Sequence, residues 1–93
     1  MKLLIFTAKV SERILFQANF ISILPTKVVN SGAELADAIK WFHKVDSGVL
    51  IVPIYVAATG WNAPDDTIIL FSESVKDDAY KLQAATRVHR ANY

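Results

Sequence analysis

Three strongly apolar runs constrain this chain more than any other feature of its sequence. They are Leu3–Thr7, Val49–Val52 and Thr67–Phe71. A strand with one face in water alternates apolar and polar residues, whereas a strand buried on both faces of a parallel sheet is apolar almost throughout. We therefore predict that these runs are strands of a mostly parallel sheet, with helices covering it.

Two segments with helical periodicity, joined by a short strand, lie between the first two runs. A first helix is predicted to open at Ser11 and to end before Pro25, with an apolar stripe formed by Ile14, Leu15, Ala18, Ile21 and Leu24. A short strand follows at Thr26–Val29. A second helix begins where Ser31 and Glu34 have the spacing of a capping box, and its stripe is formed by Leu35, Ala38, Ile39, Phe42 and Val45.

A third helix is predicted from about residue 77 to Arg90, because Asp77 and Asp78 suit a helix N-terminus. Strands therefore alternate with helices along residues 1–93, as in an α/β sandwich built on a mostly parallel sheet. A chain of 93 residues is long enough for one domain and one core. In such sheets the working residues lie in loops at the carboxyl ends of the strands.

Composition excludes several classes of function. There are no cysteines, so disulfides, thiol catalysis and thiolate metal sites are excluded. Lys and Arg total 10 against 9 Asp and Glu, which is not the overall charge of a nucleic-acid binder, so any such binding has to be local. No apolar stretch has the length of a membrane span, and the N-terminus does not read as a signal peptide. We expect a cytoplasmic protein with no membrane partner.

Motifs for nucleotide and metal binding are absent. The chain has three glycines and neither a G-x-x-x-x-G-K-[ST] loop nor a G-x-G-x-x-G pattern. His43 and His89 lie on different predicted helices without carboxylates at ligand spacing, so we predict no metal site.

Two arginines near the C-terminus, Arg87 and Arg90, are three residues apart on the third predicted helix. That spacing puts both on one face, where guanidinium groups can bind a phosphate. Cations also favour a helix C-terminus simply through the helix dipole. The spacing alone leaves both interpretations open.

Four segments in order carry a resemblance to a known family: LLIFT, VVNSG, VLIVPIYVAATGWNAPDDTIILF and YKLQAATRVHR. The chain resembles the second RecA-like domain of superfamily-two helicases and translocases, most of all the remodeller-like and phage-helicase branch. Gly60 and Asn62 match the fifth motif of that family, and Gln83, Arg87, His89 and Arg90 match the sixth. The chain departs from the pattern at Pro53–Tyr55, where relatives have small and hydroxyl residues, and at Thr86, where many have glycine.

The resemblance implies a three-layer RecA-like sandwich that acts with a separate first lobe, which binds ATP and magnesium. Arg87 and Arg90 would be arginine fingers for the γ-phosphate of that ATP. Gln83 would fix the helix against the nucleotide or the opposing lobe. Gly60 would allow a close backbone approach, and Asn62 would link the nucleotide state to the lobe interface.

The resemblance also implies contacts with the phosphates of DNA or RNA, made by Thr59 and by the backbone around Thr7 and Ser31. The first lobe and the end of the second are missing from the 93 residues, so we expect no ATPase activity, no bound cofactor and weak nucleic-acid binding from the chain alone. An uncovered apolar face would favour self-association. Two alternatives stay open: a non-enzymatic module that binds nucleic acid or a protein, and an unrelated small α/β domain.

Overall fold

The sheet has four parallel strands and is accompanied by two helices in the part of the chain that the computed structural model describes, residues 1–55, 63–64 and 66–75. The elements in chain order are β1 (Lys2–Thr7), α1 (Val10–Phe20), β2 (Thr26–Val28), α2 (Gly32–Lys44), β3 (Gly48–Pro53) and β4 (Thr67–Phe71). The predicted α/β class and the parallel sheet are confirmed. The helix predicted from residue 77 lies outside the described residues.

The strand order across the sheet is β2-β3-β1-β4. The register pairs Leu4 of β1 with Leu50 on one side and with Ile69 on the other. Strands β1 and β3 are therefore internal and are buried along their whole length, as their continuous apolar runs predict. Strand β4 lies at an edge, and its Ile68 and Leu70 are 49% and 42% exposed. The expectation that the third run is buried on both faces is wrong, because these two side chains are exposed. Helix α1 packs mainly on the other three strands.

Helix α2 packs on one face of the sheet, as its predicted stripe indicates. Its buried residues are Leu35, Ala38 and Phe42, and they share a cluster with alternate residues of the central strands, among them Leu4 and Leu50. On the same face Phe6 stacks on Phe71 of β4, with ring centroids 5.5 Å apart. Successive residues of a strand point to opposite faces, which leaves the other alternate set of side chains for α1.

Helix α1 contributes Phe16 and Phe20 to a second cluster, formed with Leu3, Ile5, Val49 and Ile51. The stripe predicted for this helix is wrong at four of its five residues: Ile14 and Leu15 are 63% and 61% exposed, and Ala18 and Ile21 are exposed as well. The fifth, Leu24, packs against the second cluster. The helix is rotated so that Arg13, Phe16 and Phe20 face the sheet, at the i, i+3, i+7 spacing of one helix face. This orientation packs two aromatic rings against the sheet, and Arg13 finds polar partners at the strand ends.

The capping box predicted for α2 is not formed. Ser31 is the N-cap, as expected, but its side chain makes no capping hydrogen bond. The Glu34 carboxylate instead accepts from the backbone N–H of Asn30, 2.9 Å away and one residue earlier than a capping box requires. This hydrogen bond fixes the backbone at the point where the chain leaves the sheet and enters α2.

Candidate functional site

The carboxyl ends of the four strands meet at one edge of the sheet, where Thr7 pairs with Pro53 and Phe6 pairs with Phe71. The residues that follow each strand lie beside one another at this edge. Working residues of open parallel α/β sheets are found at such an edge. The first turn of α1, which begins three residues after β1 ends, also lies here.

Arg13 is the buried charge of this edge, with 5% of its surface exposed. Its Nε donates to Asn30 Oδ1 at 3.1 Å, and its Nη1 donates to Thr7 Oγ1 at 3.4 Å. Both acceptors are uncharged. Hydrogen bonds to a charged group are about twice as strong as neutral ones, and a buried guanidinium requires them. Arg13 therefore holds the ends of β1 and β2 together from the helix that covers them.

Asn30 extends these contacts to the end of β3. Its backbone carbonyl accepts from the Tyr55 hydroxyl at 3.2 Å. Thr7, Arg13, Asn30 and Tyr55 thus form one connected set of hydrogen bonds, which we name the strand-end network. It joins the residues that terminate or follow β1, β2 and β3.

Glu12, the residue before Arg13, makes the equivalent connection to β4. Its Oε1 accepts from the hydroxyls of Ser72, at 2.9 Å, and Ser74. The same oxygen accepts from the backbone N–H groups of Ala8 and Lys9, both at 3.3 Å. We name Glu12, Ser72 and Ser74 the Glu12 cluster. It ties the N-terminus of α1 to the loop after β4.

The hydrogen bonds of this cluster determine the charge state of Glu12. Burial acts to raise the pKa of the Glu12 carboxyl, but the hydrogen bonds from Ser74, Ser72, Lys9 and Ala8 together outweigh burial and hold the pKa below its ordinary value. Glu12 is therefore an anion at neutral pH and accepts from all four donors.

An open depression of about 470 Å³ lies over the Glu12 cluster and is lined by Lys9, Glu12, Glu73 and Ser74. The described residues of its walls carry two carboxylates, one ammonium and one hydroxyl, which is a net charge of −1. Among residues 1–55, 63–64 and 66–75, no three His, Asp or Glu side chains are grouped so that they could hold a metal ion.

The structure places two of the residues predicted to contact nucleic acid at this edge. Thr7 is fully buried and its hydroxyl accepts from Arg13, so Thr7 itself offers no surface to a phosphate. The exposed residues after it are Ala8 and Lys9, whose backbone N–H groups donate to Glu12. Ser31 is exposed, and its hydroxyl makes no capping hydrogen bond. Thr59, Gly60, Asn62, Gln83, Arg87 and Arg90 lie outside the described residues, so their roles stay predictions.

Sequence reasoning assigned no role at this edge to the residues that organise it, namely Glu12, Arg13, Tyr55, Ser72 and Ser74, although it expected the loops after β3 and β4 to lie there. A signal existed for Arg13, because it shares its helix face with Phe16 and Phe20 at i, i+3, i+7 spacing. A signal also existed for Glu12, which stands at the third position of α1, where a carboxylate accepts from the backbone before the helix. The partners Ser72 and Ser74 lie 60 and 62 residues away in the chain, and no local pattern predicts such pairs.

Comparisons with protein-family models, with curated proteins and with solved structures found no match to this chain. In the part of the chain that the structure describes, neither α1 nor α2 is long and apolar enough to cross a membrane.

Proposed function

We propose that this chain is the second lobe of a helicase-like, nucleic-acid-dependent ATPase, inactive without a first lobe. The observation that carries the proposal is the order of the family segments LLIFT, VVNSG and TIILF. They correspond to β1, to the end of β2 with the start of α2, and to β4 of an all-parallel sheet. A three-layer, RecA-like arrangement is part of the proposal, and the packing of α1 and α2 with alternate side chains of the same strands supports it.

In this proposal a first lobe in trans holds ATP and magnesium, and Arg87 and Arg90 stabilise the charge that develops on the γ-phosphate. Gln83, Gly60 and Asn62 form the contact with the nucleotide and the opposing lobe. Thr59, Ser31 and the backbone around Thr7 contact phosphates of DNA or RNA. Exposure of Ser31, which follows β2 at the carboxyl edge of the sheet, supports its part of the last assignment.

The test is reconstitution with a separately produced ATP-binding lobe of a phage or remodeller-like helicase. We expect no hydrolysis by the 93-residue chain alone and nucleic-acid-stimulated hydrolysis by the mixture. Arg87→Ala should lower the rate of the mixture by about a thousandfold, the scale of an arginine finger. Lys44→Ala, which removes an exposed cation at the end of α2, is the control and should leave the rate unchanged. Hydrolysis by the chain alone, or a mixture insensitive to Arg87→Ala and Arg90→Ala, would contradict the proposal.

A second candidate, a non-enzymatic module that binds a protein, is favoured by the outer surface of α1. Val10, Ile14, Leu15 and Ile21 are all more than half exposed, and clustered exposed apolar residues mark association surfaces. A module of this kind would bind a protein partner, or a second copy of itself, through α1. It would show neither a salt-sensitive shift of DNA or RNA nor ATPase activity with a first lobe.

A further inference from the structure

Tyr55 is a large aromatic side chain left on the surface at the carboxyl edge of the sheet. It lies in a short turn directly after β3, and 59% of its surface is exposed. Tyrosine buries its ring readily in cores and interfaces, so an exposed ring at an edge where binding residues gather suggests a surface for a ligand. The residue also stands where the sequence departs from the helicase pattern, at Pro53–Tyr55.

The hydroxyl end of Tyr55 is held in place. It donates to the Asn30 carbonyl at 3.2 Å, and the Asn30 side chain accepts from the buried Arg13. A tyrosine has two rotatable side-chain bonds, so one hydrogen bond at its far end restricts most of the motion of the ring. The ring is therefore already ordered in the free protein, so a ligand that binds it causes little further loss of side-chain entropy.

The surroundings of the ring indicate what would cover it. Lys9, Asn30 and Ser31 are exposed polar residues of the same edge, which also carries the exposed carboxylates of Glu34 and Glu73. An apolar protein surface pressed onto this edge would bury their polar groups without partners, which is unfavourable. A nucleotide suits both parts of the surface, since its base has a π face for the ring and its phosphate accepts from N–H and O–H groups.

We propose that Tyr55 stacks on an unpaired base of a nucleic-acid strand whose phosphates contact the exposed side chains of Ser31 and Lys9. This inference rests on the proposed nucleic-acid contact and adds to it a base-binding residue. The stacking is independent of base identity, because each base offers a π face.

The experiment measures the affinity of the full chain for two single-stranded DNA probes at low salt, a 15-mer of thymidine and a 15-mer of abasic residues. We expect the wild-type chain to bind the thymidine probe about tenfold more tightly than the abasic probe, as one stacked base contributes. Tyr55→Leu should abolish most of this preference and leave the affinity for the abasic probe unchanged. Tyr55→Trp and Tyr55→Phe keep an aromatic ring but lose the hydroxyl bond to Asn30, so they should retain most of the preference and not all of it.

Ile23→Ser provides the control, because Ile23 is an exposed apolar residue that follows α1 at the opposite edge of the sheet; its preference should equal that of the wild type. Thermal unfolding of each variant checks that the fold is retained. If Tyr55→Leu keeps the wild-type preference, the stacking inference is overturned while the phosphate contact stands. If neither probe binds the wild-type chain, the proposed nucleic-acid contact itself is wrong, and the inference falls with it.

Discussion

Glu12 and Arg13 are neighbours in the first turn of α1, and between them they hold the ends of the whole sheet. Successive helical residues point about 100° apart, so the two side chains reach in different directions. Arg13 reaches Thr7 and Asn30, at the ends of β1 and β2, whereas Glu12 reaches Ser72 after β4. The carboxyl edge is therefore organised by two adjacent charges of opposite sign.

Replacement of Glu12 by Gln should destabilise the fold in a pH-dependent way. The folded-state pKa of Glu12 is lowered, so its ionised form contributes stability above the pKa of the unfolded chain, and that contribution is lost as the pH falls through the folded-state pKa. We expect Glu12→Gln to lower the free energy of unfolding by about 1 kcal/mol at pH 7 and by less in acid. Urea unfolding at pH 7 and pH 3 measures this, with the exposed Glu73→Gln as the control. A difference from the wild type that is equal at both pH values would contradict the assignment.

Replacement of Arg13 by Met tests the strand-end network. Methionine can fill the space of the aliphatic stem, but it leaves Thr7 and Asn30 without their shared donor. We expect a loss of about 2 kcal/mol in the free energy of unfolding, and Arg13→Lys should recover little of it because an ammonium lacks the planar fork. Lys9→Met removes an exposed charge nearby and should change stability by less than about 0.5 kcal/mol. Equal stability of Arg13→Met and the wild type would show that the network is dispensable.

At the scale of elements, α1 has two sets of residues with helical spacing, and packing on the sheet determines which set is buried. Ile14, Leu15, Ala18 and Ile21 have helical spacing, and so do Arg13, Phe16 and Phe20. The second set faces the sheet, since it buries two aromatic rings and brings a polar group to the strand ends. Periodicity identified the helix, but two competing stripes made its orientation undecidable from the sequence. For α2 a single stripe was present, and the prediction is confirmed at Leu35, Ala38 and Phe42.

The orientation of α1 can be measured by a matched pair of substitutions. Phe16→Ala removes a ring that packs on the sheet and should lower the free energy of unfolding by about 2–3 kcal/mol. Ile14→Ala removes an exposed side chain and should change it by less than about 0.5 kcal/mol. Denaturant titrations of both variants and the wild type decide the matter. A larger loss for Ile14→Ala than for Phe16→Ala would mean that the predicted stripe is the buried one after all.

At the scale of the whole molecule, the proposed function needs two surfaces that different parts of the chain supply. In the proposal, the carboxyl edge of the sheet would supply the phosphate and base contacts, through Ser31, the residues around Thr7, and Tyr55. The lobe interface depends on Arg87 and Arg90, whose placement is a prediction from sequence. Reconstitution with a first lobe tests the role of the arginines, and the paired DNA probes test the role of the carboxyl edge. The two assignments are therefore tested independently.

The sequence by itself determined the class of the fold. Continuous apolar runs favour burial on both faces, as β1 and β3 show. Their alternation with helical periodicity favours a parallel sheet, because each crossover between parallel strands needs a helix or a long connection. It also predicted the N-cap position of α2 and the edge of the sheet at which to look for a site.

Only the tertiary structure decided which face of α1 is buried, which strand lies at the edge, and which side chains meet at the carboxyl ends. These outcomes depend on contacts between distant parts of the chain, such as Glu12 with Ser72 and Ser74 or Tyr55 with Asn30. Local patterns record the conformation that a segment favours, whereas a hydrogen bond across 25 or 60 residues exists only after the sheet has brought both ends together. The strand-end network and the Glu12 cluster are consequences of the fold, and the proposed site is built on them.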